Sequence, residues 1–61
     1  MIIVTHWVKG NLVNDSFKDG EGVELRSYPG DVFHVVVDSL GRILASFPFE
    51  QEIKFKKVSH V

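Results

Sequence analysis

Cysteine is absent from these 61 residues. That excludes disulfide staples, thiolate metal sites and thiol redox chemistry, and it is compatible with a reducing compartment. Alanine occurs once, whereas valine and isoleucine are abundant, a composition of short strands rather than helices. Charge of neither sign dominates. Seven Lys and Arg stand against eight Asp and Glu, a net charge of -1, without the basic surplus that phosphate neutralisation usually leaves. No apolar run approaches the roughly 20 residues of a membrane-spanning helix, so no membrane association is expected. Met1 to Trp7 form no basic leader, and their apolar run breaks early, so a cytoplasmic location is expected.

What is present suits one small domain spanning residues 1–61. A domain of this size buries only about 60% of the surface its unfolded chain exposes, so its core is thin and external support is expected. A partner subunit ranks ahead of a metal as that support, because His6, His34 and His60 show no ligand spacing. No metal or other cofactor is expected.

Glycines recur about every ten residues, the punctuation of strands. The pattern predicts an all-β fold: a small five- or six-stranded antiparallel meander, forming a curled sheet or a small barrel. The expected spans are 2–9, 12–17, 23–28, 32–38, 42–47 and 50–58. Gly10-Asn11 suits a two-residue turn, which would set His6 opposite Asp15 and Val4 opposite Phe17. Val4, His6, Val8, Val13, Asp15 and Phe17 then share one face, and Trp7 lies on the other among Thr5, Lys9, Asn14 and Ser16. Asp38 to Arg42 suit a type I turn with a bulge, pairing Val37 with Ile43, Val35 with Ala45 and Phe33 with Phe47. A tight turn at Pro29-Gly30 is disfavoured, because it would put Glu24 and Arg26 beside Phe33 and Val35. The last segment has helical i,i+4 pairs, Glu50 with Lys54 and Glu52 with Lys56, but Phe49, Ile53 and Phe55 share a face only as a strand.

Catalytic chemistry is poorly represented. His6 facing Asp15 matches half of a base–orienter pair, but no nucleophile joins it, since Ser16 belongs to the opposite face. Glu50 and Glu52 alternate with glutamine and precede lysines, as on a solvated strand. Gly20-Glu21-Gly22 lacks the third glycine and the helix of a phosphate loop. The chain is therefore read as a non-enzyme.

Aromatic residues are the better candidates. An indole among polar strand neighbours suits recognition, and in Phe47-Pro48-Phe49 the proline belongs at an edge or strand end, where a flanking phenylalanine can point outward. Gly30-Asp31-Val32-Phe33-His34 resembles the Asp-Val-Phe-Val-His strand of cold-shock domains, which implies base stacking on single strands. Pro29-Gly30-Asp31, with the hairpin around Ser39-Leu40-Gly41, resembles the Gly-Asp box of AbrB-type swapped-hairpin regulators, which implies a DNA-binding dimer. The two echoes are short and mutually exclusive, and neither family is assigned. The leading expectation is a protein-interaction module, an inhibitor, adaptor or homodimer, using a strand edge with Trp7, Phe47 and Phe49. Its alternative is a nucleic-acid-binding small barrel using Lys54, Lys56 and Lys57 with Trp7, Phe33 or Tyr28.

Overall fold

The computed structural model describes residues 1–59; His60 lies outside the described residues. The fold is all-β, with six antiparallel strands: β1 (Ile2–Val8), β2 (Asn11–Phe17), β3 (Gly22–Tyr28), β4 (Asp31–Val37), β5 (Ile43–Pro48) and β6 (Ile53–Lys57). They form two three-stranded sheets, β2-β1-β6 and β3-β4-β5. Neither sheet closes on itself, so among the described residues this is a curled meander with four free edges and not a barrel. The radius of gyration is 11.7 Å, above the roughly 10.5 Å expected of a compact chain of this length. The last segment, expected as strand over 50–58, is strand over Ile53–Lys57, and residues 49–52 carry the chain from the second sheet back to the first.

Each hairpin is set by its turn. Lys9 and Gly10 have φ of 49° and 80°, which closes β1 and β2 by a two-residue type I′ turn and pairs Val8 with Asn11 and Trp7 with Leu12. The turn thus lies one residue earlier than Gly10-Asn11, because a type I′ turn favours glycine at its second central position. The pairing moves by two, so every side chain keeps its expected face. His6 now faces Val13 and Asp15 faces Val4.

Pro29-Gly30 does form the tight turn that burial argued against. Gly30 has φ of 91°, the proline supplies the preceding residue of a type II geometry, and Tyr28 pairs with Asp31. Glu24 and Arg26 oppose Val35 and Phe33 as feared. β3 is an edge strand, however, so their charged heads reach water and meet each other at 2.8 Å.

The Asp38–Arg42 turn forms as expected, with the Gly41 N–H donating to the Asp38 carbonyl (3.0 Å) and the Asp38 N–H to the Arg42 carbonyl (3.0 Å). Val37 pairs with Ile43, but a bulge follows. Beyond it Val36 pairs with Ala45, Val35 with Ser46, His34 with Phe47 and Phe33 with Pro48. The extra residue, Leu44, displaces the expected pairs and rotates Phe47 onto the face of His34 and Val36.

That rotation completes the core. Ile2 and Val4 from the first sheet meet Val36 and Phe47 from the second, with Phe17, Val23, Ala45, Ile53 and Phe55 packed around them. The His6 ring lies edge-on to Phe47 at 5.2 Å and His34 lies 5.5 Å from Phe55, so both sheets contribute rings to one interior. β4 is central in its sheet, with Val35 and Val36 fully buried on opposite faces. Met1 and Val58 extend the β1–β6 pairing: the Met1 ammonium donates to the Val58 carbonyl (3.1 Å) and the Val58 N–H to the Met1 carbonyl (2.8 Å).

Two expected outcomes follow from this packing. A Cβ added at Gly20 would meet Ile2 side-chain carbons at 2.9 and 3.0 Å and the Phe17 carbonyl at 3.1 Å, whereas at Gly22 it would meet nothing within 4 Å. In urea unfolding, Gly20→Ala should therefore cost about 1–3 kcal/mol and Gly22→Ala within about 0.5 kcal/mol of zero; equal costs would refute the contact.

The buried Asp38 carboxylate accepts the backbone N–H groups of Arg42 and Leu40, both at 2.9 Å, and the Arg42 Nε–H at 2.7 Å. The Arg42 backbone bond foremost, against the opposing effect of burial and with help from the Arg42 side chain and Leu40, holds Asp38 below the usual carboxylate range. A depressed folded pKa gives stability that is present above the unfolded pKa and lost as pH falls through the folded one. Asp38→Asn should lower the melting temperature at neutral pH, with the deficit shrinking on acidification; a deficit independent of pH would contradict this.

Candidate protein-binding surface

The outward face of the first sheet is built by alternation along β1. Ile2, Val4 and His6 turn inward, so Ile3, Thr5 and Trp7 turn out, flanked by Ser16, Asn14 and Leu12 on β2 and by Lys56 and Lys54 on β6. Trp7 is 53% exposed and its cross-strand partner Leu12 58%. Together with Thr5, Ile53, Lys54 and Glu52 they line a cleft of about 220 Å³. Its floor is apolar, and its rim carries one cation and one anion. The Thr5 hydroxyl donates to Asn14 Oδ1 at 2.6 Å, fixing the polar row beside the indole.

Beside this face runs β2, one of the four free edges. The other three carry features that discourage strand addition. β6 presents Lys54, Lys56 and Lys57, β5 has its bulge and Pro48, and β3 carries the Glu24–Arg26 ion pair. β2 has no lysine, arginine, proline or bulge. Its only charge, Asp15, is turned to the inner face and bound by His6.

That pair survives the change of register as a diagonal contact. The buried His6 donates through Nε2 to Asp15 Oδ2 at 2.7 Å, and the Gln51 amide donates to His6 Nδ1 at 3.3 Å. Both bonds need one protonated and one bare ring nitrogen, so the tautomer is set by its two neighbours. Ser16 lies on the other face, and the histidine is built into the packing against Phe47. Among the described residues no group of three or more His, Asp or Glu is placed to hold a metal ion.

The remaining candidates are dispersed. Phe47 is 8% exposed and belongs to the core, where the Leu44 bulge puts it. Phe49 is 54% exposed, stacks on His34 at 5.4 Å and 18°, and lines a different hollow, between Gly30–Phe33 and Pro48–Glu50. Lys54 and Lys56 share the outward face with Trp7, but Lys57 has the opposite facing, with its ammonium 3.7 Å from Glu21. Tyr28 and Phe33 pair edge to face at 5.7 Å on the outer side of the second sheet, away from those lysines. Leu12, which sequence reading did not single out, is the main addition. Its signal was the glycine preference of the turn, which decides who faces Trp7.

The chain matches no protein-family model, no curated protein and no solved structure.

The His6 pair gives a direct test of the inner face. Asp15→Ala leaves a buried ring N–H without its acceptor and should cost about 1–3 kcal/mol, whereas Asp15→Asn, which keeps a carbonyl oxygen, should recover much of it. Chemical denaturation of the two variants measures the difference; equal stabilities would mean that the bond contributes nothing.

Proposed function

We propose that this chain is a non-catalytic protein-interaction module that takes an extended segment of a partner along β2, with Trp7 and Leu12 as the adjoining anchor. The single observation that carries this reading is the unguarded edge. A two-residue turn closes on a hydrogen-bonded pair, so Asn11, Val13, Asp15 and Phe17 spend their backbone groups on β1, and Leu12, Asn14 and Ser16 turn theirs outward. A strand laid against them gains main-chain hydrogen bonds, and its alternate side chains fall beside Leu12 and Trp7. Half-exposed tryptophan offers large apolar area at small entropic cost.

A nucleic-acid surface is less well supported, because only Lys54 and Lys56 accompany Trp7 on its face, Tyr28 and Phe33 lie on the outer side of the other sheet, and a net charge of -1 leaves no basic surplus. Binding to single- or double-stranded nucleic acid should accordingly be weak at physiological salt.

Leu12→Lys and Trp7→Ala should abolish capture of partners by the tagged chain from its own cells. Leu40→Lys, at a leucine that is 75% exposed on the distant β4–β5 turn, should leave capture intact. Circular dichroism should show all three folded, because exposed substitutions usually change stability by about 0.5 kcal/mol or less. The same proteins on all four baits would count against the surface.

A further inference from the structure

We propose that the strand laid against β2 is β2 of a second copy, joined about a two-fold axis through Asn14 into one continuous sheet ordered β6-β1-β2-β2-β1-β6. This rests on the reading of β2 as a binding edge and names its occupant. The outward backbone groups are those of Leu12, Asn14 and Ser16. An antiparallel partner uses all three only when Asn14 faces Asn14 and Leu12 faces Ser16 of the second copy. An axis through Leu12 or Ser16 uses fewer, and one through Asp15 sets two carboxylates face to face, which is unfavourable.

Charge is compatible with this register. With Asn14 on the axis, Asp15 faces Val13 of the second copy, so no like charges of β2 meet along the seam. An axis through Val13 uses only Leu12 and Asn14. At net charge -1, two copies repel each other little. Ser16, the smallest of the outward side chains of β2, lies opposite Leu12 and leaves room for Leu12 and Trp7 to lean across the seam. The closed two-fold also accounts for both free β2 edges at once, so assembly stops at two.

The chain has no cysteine, so one introduced thiol reports its own position. Residues facing each other in a hydrogen-bonded antiparallel pair have Cα atoms about 5.5 Å apart, within the roughly 4.4–6.8 Å that a disulfide spans. Asn14→Cys should therefore oxidise to a covalent dimer. Ser16→Cys should not, because its own copy lies four residues further along, about 14 Å away. A mixture of Leu12→Cys and Ser16→Cys should give the mixed dimer. By sedimentation equilibrium the unaltered chain should be dimeric at micromolar concentration, and Asn14→Lys, which brings two ammonium groups together on the axis, should weaken the dimer by about ten-fold or more.

A monomer at every concentration, or equal cross-linking at positions 14 and 16, would overturn the second-copy proposal. If the monomer still captures another protein in a Leu12→Lys-sensitive way, the second copy is wrong and the binding edge stands. A monomer whose capture ignores Leu12→Lys removes both.

Discussion

The pairing of β1 with β2 on one side and β6 on the other is the contact on which the rest of the molecule depends. It puts Ile2, Val4 and His6 in a row with exposures of 2, 0 and 8% and gives that row neighbours on both flanks. Without β6, Phe55 and Ile53 would not cover the interior, and His34 would lose one of the rings that enclose it. Without β2, Phe17 and the Asp15 acceptor would be missing. The second sheet only completes what this row begins, by supplying Val36 and Phe47 as the facing half of a core one side chain deep.

Much of this was legible in the sequence because side chains alternate with a period of two. An error of two positions in the first hairpin left every face correct, and with it the outward position of Trp7 and the inward position of His6. The β4–β5 hairpin shows the converse. Its turn and first pair were readable from Asp38 and Gly41, but one inserted residue changes parity, so Phe47 exchanged an edge for the core. Nothing in Ile43-Leu44-Ala45 marks which residue is extra. The choice is made by burial, since only the bulged register turns Phe47 of β5 inward between the sheets.

The Pro29-Gly30 turn illustrates a different limit. Opposing Glu24 to Val35 is prohibitive in a central strand and tolerable in an edge strand, and edge position is a property of topology, not of local pattern. The candidate surface has the same character. Trp7 could be chosen by its residue type and face, and Leu12 follows from the glycine preference of the first turn, whereas the free edge of β2 became visible only once the strand order β2-β1-β6 was known.

That strand order also shapes how the chain reaches its fold. Ile2 pairs with Lys57, so the β1–β6 ladder joins residues 55 positions apart, while every other neighbouring pair of strands is joined by a short turn. Three of the four ladders can form locally and quickly, and the fourth must wait for a long loop to close, with the entropic delay that non-local pairing imposes. During synthesis the first hairpin emerges with both its outer edges bare, and β1, the most apolar strand of its sheet, remains open on one side until β6 arrives. The lysines of β6 guard that side only from the moment of docking, so until then the chain exposes a second open edge that the finished molecule no longer has.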